Sequence, residues 1–144
     1  MAGPLVGLKV LVVEDNYLVA SFLENLLISA GCVVSGPIPR RLEACDAATR
    51  EACDAALLDV HLGGGEGVYP VADILSRRNV PYLFVTGYSG NALPPEYAER
   101  PRIAKPFKTK ELLGALSNLI KPANGSGGAA PPIRRAVLAS GISE

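Results

Sequence analysis

Five residues of this 144-residue chain stand where short apolar runs end. Glu14 and Asp15 follow Val10-Leu11-Val12-Val13, and Asp59 follows Ala55-Ala56-Leu57-Leu58. Thr86 follows Leu83-Phe84-Val85, and Lys105 follows Ile103-Ala104. Singly, each has an ordinary explanation. Glu14 and Asp15 suit a helix cap or a solvated turn, Asp59 a turn, Thr86 a strand and Lys105 a surface. Together they make three carboxylates, a hydroxyl and an ammonium. Three anions in one pocket repel, and a hard cation resolves the repulsion. Mg²⁺ (or Mn²⁺) takes such oxygen ligands and keeps several waters. The lone His61 and the scattered Cys32, Cys45 and Cys53 do not form a zinc set. A carboxylate beside such an ion can attack a phosphoryl group and become an aspartyl phosphate. Asp59 is the candidate acceptor, with Lys105 neutralising a phosphoryl oxygen and Thr86 donating a hydrogen bond.

For this to work, the five residues must share one edge of a sheet. The run over residues 8–13 is apolar and β-branched, as in a strand covered on both faces. From Tyr17 the apolar residues come in pairs four apart, Leu18/Val19, Phe22/Leu23 and Leu26/Leu27, an amphipathic helix that Gly31 stops. A second strand is expected over residues 32–35, with residues 36–39 (Gly-Pro-Ile-Pro) as a loop. An Ala-rich helix follows over 42–50, then a strand over 55–59. Gly63-Gly64-Gly65-Glu66-Gly67 forms a glycine loop. Val68, Val71, Ala72 and Leu75 mark a third helix, and residues 81–86 a fourth strand. Gly90, Pro94 and Pro95 oppose a long helix in the next crossover, leaving one short helical stretch near residues 96–99. A brief strand over 102–105 and a helix from Thr109 to Ile120 complete the alternation. Five strands alternating with crossovers predict a doubly wound α/β sandwich of three layers. Its strand ends gather at one edge, where ligands bind in such sheets.

The hydrophobic fraction is 49%, the charged fraction 19% and the formal net charge +0. No basic excess points to nucleic acid, and no acidic run points to a solvating tail. Three cysteines without a Cys-x-x-Cys spacing are expected to be reduced thiols, which suits a cytoplasmic protein. No apolar run approaches the roughly 20 residues that span a bilayer. Residues 1–121 are expected to form one domain. Residues 122–144, rich in Gly, Pro and Ala, are expected to form a flexible tail. The triple glycine lacks the Gly-Lys-Ser/Thr of a P-loop, and the dinucleotide-binding glycine pattern is missing after the first strand.

The segments Val-Leu-Val-Val-Glu14-Asp15-Asn, Ala-Leu-Leu-Asp59-Val-His-Leu, Phe-Val-Thr86-Gly87 and Ala-Lys105-Pro106-Phe107, with Gly67 after the acceptor loop, carry a resemblance. From about Leu8 to Ile120 the chain resembles the receiver domain of two-component response regulators, of the chemotaxis-receiver type. The resemblance implies a flavodoxin-like sheet of strand order 2-1-3-4-5 and a Mg²⁺ held by Glu14, Asp15, Asp59 and the backbone carbonyl of His61. It also implies a phosphoryl group passed to Asp59 from a histidine kinase or phosphotransfer protein, gripped by Thr86 and Lys105, and a cis bond before Pro106. On that footing the chain is a stand-alone receiver and no enzyme in the ordinary sense. It would act on a downstream protein or serve as a phosphate sink, and dimerisation is compatible with the fold. Phe84-Val85-Thr86-Gly87-Tyr88 resembles the signature of an alphaproteobacterial single-domain subgroup.

There are departures from the family pattern. The usual switch aromatic, three residues before the lysine, is Arg102 here, and Gly63 stands where a proline is common. A different switch is therefore expected, an ordering of residues 88–100 on phosphorylation. His61 and Tyr88, two residues after Asp59 and Thr86, are expected to tune hydrolysis. Two alternatives remain. One is a degenerate receiver that only binds protein. The other is a Mg²⁺-dependent phosphohydrolase with an aspartyl nucleophile, which needs a second Asp where His61 stands.

Overall fold

The computed structural model describes Gly3 and residues 5–62, 66–87 and 93–120, with the backbone alone for Glu66. The elements in chain order are β1 (Lys9–Val13), α1 (Tyr17–Ser29), β2 (Val33–Ile38), α2 (Arg41–Arg50), β3 (Ala55–Asp59), β4 (His61–Leu62) and β5 (Glu66–Gly67). Then come α3 (Tyr69–Arg77), β6 (Tyr82–Thr86), a short 3₁₀ turn (Pro95–Tyr97), β7 (Arg102–Ala104) and α4 (Thr109–Ile120). The main sheet has the order β2-β1-β3-β6-β7, all parallel, which is 2-1-3-4-5 when only its own strands are counted.

Side-chain alternation divides the core in two. Val10, Val12, Ala55, Leu57 and Leu83 point to one face and meet Leu23, Leu26 and Leu27 of α1 with Leu112 and Leu116 of α4. Leu11, Val13, Ala56, Leu58 and Phe84 point to the other and meet Ala44, Ala47 and Ala48 of α2 with Val71, Ala72 and Leu75 of α3. Both faces are covered, which is why β3 and β6 read as unbroken apolar runs. The alanines of α2 let it lie close to the sheet. Arg78 fastens α3 to the end of α2, donating from Nη1 to the carbonyls of Ala48 (2.5 Å) and Glu51 (2.9 Å).

The loop expected at residues 36–39 is instead strand through Ile38. β2 is an edge strand, where Pro37, having no N–H to donate, is tolerated. Gly36 sits at φ +100°, the Gly36–Pro37 bond is cis, and the pairing with β1 shifts between Leu11 and Val13. This bulge carries the pairing one residue beyond β1, because the Glu14 N–H donates to the Ile38 carbonyl at 3.1 Å. A Cβ on Gly36 would lie 2.8 Å from the Val12 carbonyl oxygen. Gly36→Ala is therefore expected to lower stability by about 2–3 kcal/mol, from left-handed strain plus the clash. Urea denaturation measures it.

Other expectations fit with shifts of a residue or so. Asn16 caps α1, its Oδ1 accepting from the Val19 N–H at 3.1 Å. Gly31, at φ +94°, follows the last turn as the stop residue. The crossover after β6 shows the short turn at Pro95–Tyr97, and Tyr88–Ala92 lie outside the described residues. The flanks of the glycine loop pair as antiparallel β4 and β5, which the sequence pattern did not foretell. Gly63–Gly65 and residues 121–144, which include the expected tail at 122–144, lie outside the described residues. Among the described residues no helix is long and apolar enough to cross a membrane.

Candidate functional site

Each site residue is delivered by the end of a strand. β1 hands over Glu14 and Asp15, β3 Asp59, β6 Thr86, and β7 Lys105. The strands are parallel and in register, so their ends share an edge. Asp59 pairs with Val85, and Thr86 stands one residue further along β6. The Lys105 N–H donates to the Thr86 carbonyl at 2.9 Å, carrying the ladder one step past β7. Lys105–Pro106 is cis.

At that edge Glu14, Asp15 and Asp59 each offer a carboxylate oxygen, all within 4.8 Å of one another. Glu14 and Asp59 are buried, at 2% and 5% exposure, and Asp15 is open to solvent. Lys105 Nζ lies 3.3 Å from Glu14 Oε2 and 3.8 Å from Asp59 Oδ1. Lys105 thus meets two buried carboxylates of a cluster of three. The Asn16 N–H donates to Glu14 Oε2 at 3.2 Å, and the His61 N–H approaches Asp59 Oδ1 at 3.4 Å. The His61 side chain is exposed. The Thr86 hydroxyl is buried and reaches the Ile103 carbonyl at a long 3.5 Å.

Burial pushes the Asp59 carboxyl up to about 8. The Glu14 carboxylate adds to the rise, Lys105 opposes it, and side-chain contacts with Glu14 and Asp15 raise it further. Glu14 Oε1 is buried and, among the described residues, has no hydrogen-bond partner. An orphaned buried carboxylate oxygen is costly unless something positive meets it. A divalent cation ligated by oxygen fits both facts, and the donor set suits Mg²⁺ rather than zinc.

The structure therefore brings Glu14, Asp15, Asp59 and Lys105 together and sets Thr86 on the neighbouring strand end. One feature escaped the sequence pattern. Tyr97, from the short turn, stacks on Tyr69 of α3 (ring centroids 4.7 Å apart), and both pack edge-on to Phe84. The Tyr97 hydroxyl donates to Asp73 Oδ1 at 2.6 Å. Burial and then the Asp73 carboxylate push the Tyr97 phenol well above its usual value. These aromatics pack on the strand next to β7, where Arg102 leaves the fifth-strand position exposed. The only signal in the sequence was an apolar-aromatic residue between prolines and acids. Tyr97→Phe is expected to cost about 1 kcal/mol, the net value of a hydrogen bond to a charged but exposed partner. Thermal or urea unfolding reads it, and combining it with Asp73→Asn is expected to add little.

An open parallel sheet with acidic, hydroxyl and lysine residues at its strand ends defines a flavodoxin-like α/β protein. Residues 10–117 match the response regulator receiver domain, and the chain belongs to that family. Among curated proteins it is 32% identical over 118 residues to the phyllosphere-induced regulator PhyR of Methylorubrum extorquens, covering 78% of this chain and 43% of that protein. The chain spans about half the length of the curated relatives it matches. Among solved structures, SdrG of Sphingomonas melonis Fr1 is similar with a TM-score of 0.72 and 34% identity, covering 79% of this chain and 97% of that one. The receiver domain of the sensor histidine kinase PA1611 from Pseudomonas aeruginosa PAO1 matches with a TM-score of 0.67 and 30% identity. It covers 80% of this chain and 98% of that one, and holds a magnesium ion in its active-site cleft.

Proposed function

We propose that this chain is a phosphoacceptor of a two-component relay, taking a phosphoryl group from a sensor histidine kinase or phosphotransfer protein onto Asp59. The observation that carries this reading is the Glu14–Asp15–Asp59 cluster with one unpartnered buried oxygen and Lys105 Nζ 3.8 Å from the acceptor. Glu14, Asp15 and Asp59, with the His61 backbone carbonyl, would hold Mg²⁺, which supplies positive charge to the phosphoryl oxygens when bound. Asp59 Oδ attacks phosphorus, and the donor's histidine nitrogen leaves with the bonding electron pair. Lys105 exchanges its contacts with Glu14 and Asp59 for a phosphoryl oxygen, and the Thr86 hydroxyl, weakly held at 3.5 Å, is available to another. The output is an unidentified protein partner or a phosphate-sink role.

The test is incubation of the chain with Mg²⁺ and a small phosphodonor or a phosphorylated histidine kinase, followed by intact-protein mass measurement. A gain of one phosphoryl group, lost in Asp59→Asn and on chelation, is expected. No adduct under any donor would leave the protein-binding module as the better reading. Sustained turnover of phosphoesters would favour the phosphohydrolase.

A further inference from the structure

β2 does not run past β1 in regular register. Leu11 stands opposite Ser35 and Val13 opposite Ile38, so Gly36 and Pro37 together face Val12. The pairing rule of this ladder is visible at its start, where Val33, opposite Lys9, donates its N–H to the Leu8 carbonyl at 2.8 Å. By the same rule the residue opposite Val13 is the one to donate to the Val12 carbonyl. Unbroken register would put Pro37 there, and proline has no N–H to give. The bulge brings Ile38 to that place instead. The Ile38 carbonyl then accepts from the Glu14 N–H at 3.1 Å, one rung past the last residue of β1.

Gly36 makes this rung possible. It sits at φ +100°, and a Cβ there would stand 2.8 Å from both the Ile38 nitrogen and the Val12 carbonyl oxygen. A side chain at this position would drive β2 away from the end of β1. The consequence of the rung lies in the site. Glu14 is an acid beyond the end of its strand, yet it is 2% exposed, while Asp15 beside it is open to solvent. Glu14 Oε2 accepts from the Asn16 N–H at 3.2 Å and from Lys105 Nζ at 3.3 Å, and Oε1 has no partner among the described residues. Burial of such a group is costly, so a backbone free to turn at Glu14 would let the carboxylate swing into water. Held in the ladder, it stays inside.

We propose that the Gly36 bulge is a positioning element for the metal site. Through the Ile38 carbonyl it fixes the Glu14 backbone and keeps a costly buried carboxylate in place for a divalent cation. The inference rests on the reading of Glu14, Asp15 and Asp59 as a Mg²⁺ site. Blunting the open edge of a sheet is the other service a bulge performs. That service alone would leave cation affinity independent of the rung.

The test is native-state amide hydrogen exchange on the wild-type chain, first metal-free and then with Mg²⁺ at about a hundred times the dissociation constant found by calorimetry. If the cation binds only while the rung is closed, exchange of the Glu14 amide through local opening slows about a hundredfold. The Lys9 amide, which donates to Asp54 Oδ2 at 2.9 Å at the other end of β1, keeps its rate. Gly36→Ala is expected to weaken Mg²⁺ binding by about tenfold or more, the usual loss when a group supporting a ligand is disturbed. Val80→Ala, which trims the core at the opposite edge of the sheet, is the control for lost stability and should leave the affinity within about twofold. A Glu14 exchange rate that Mg²⁺ leaves unchanged would overturn this inference alone, and so would wild-type affinity in Gly36→Ala. Should Gly36→Ala not fold, the wild-type exchange rates decide. A wild-type chain that binds no Mg²⁺ would remove the reading of the site together with the inference.

Discussion

Asp59→Asn is expected to raise the stability of the metal-free protein by about 2–3 kcal/mol near pH 8 while abolishing phosphoryl acceptance. Two carboxylates, Glu14 and Asp59, are buried side by side against one lysine, and Asp15 adds a third charge at the rim. The Asp59 carboxyl is raised from 3.8 to about 8, chiefly by burial and then by Glu14. At about 1.4 kcal/mol per unit this gap sets an upper bound of roughly 6 kcal/mol. Water on the open Asp15 side screens the cluster, so less than half of that is expected to appear. The amide removes one charge and offers an N–H to the orphaned Glu14 Oε1, a second gain at the same position. Stability measured by urea unfolding in chelator should therefore rise as the mass adduct disappears. A variant less stable than the wild type would mean that Asp59 is held by favourable contacts, contrary to the crowding of charge around it.

Stability of the metal-free wild type is expected to fall, relative to Asp59→Asn, as pH rises from about 5 to about 8. The folded state holds the Asp59 proton more tightly than the unfolded chain, whose carboxyl titrates near 3.8. Between those values the native state binds more protons, so unfolding becomes easier with rising pH. The contribution is fully present below the unfolded value and is lost as pH passes through about 8. Divalent cations reverse it. Mg²⁺ must displace the Asp59 proton, so its apparent affinity should rise about tenfold per pH unit from pH 6 to pH 8. At a hundredfold excess over its dissociation constant it adds about 2.7 kcal/mol. Thermal unfolding in a Mg²⁺ titration at three pH values reads both effects. An affinity flat with pH would show that the cation does not displace that proton.

Both effects come from a geometry that the sequence indicates only in part. The apolar runs over β1, β3 and β6 are legible because strands covered on both faces have no polar alternation to obscure them. The paired spacing of Leu18/Val19, Phe22/Leu23 and Leu26/Leu27 marks α1 for the same reason, since a helix against a sheet must repeat its apolar side every turn. Gly36-Pro37 misleads, because a loop and a bulged edge strand use the same residues. Only pairing with β1, seen in the Glu14 N–H donating to Ile38, distinguishes them. Tyr97 is illegible for a related reason. Its partners Tyr69 and Asp73 lie far away in sequence, on another helix, and no periodicity links them.

The sequence by itself determined which residue types stand at the ends of its apolar runs: two adjacent acids, an aspartate, a threonine and a lysine. It thereby determined the chemistry open to them, since oxygen donors and one ammonium select a hard cation and an anionic group. The tertiary structure alone decided that Glu14 and Asp59 are buried together, that Glu14 Oε1 has no partner among the described residues, and that Lys105 reaches both carboxylates. Proximity in a parallel sheet is set by register between strands tens of residues apart, and burial by what the helices cover. Neither is a property of a local stretch of chain, and it is burial together that pushes Asp59 to about 8.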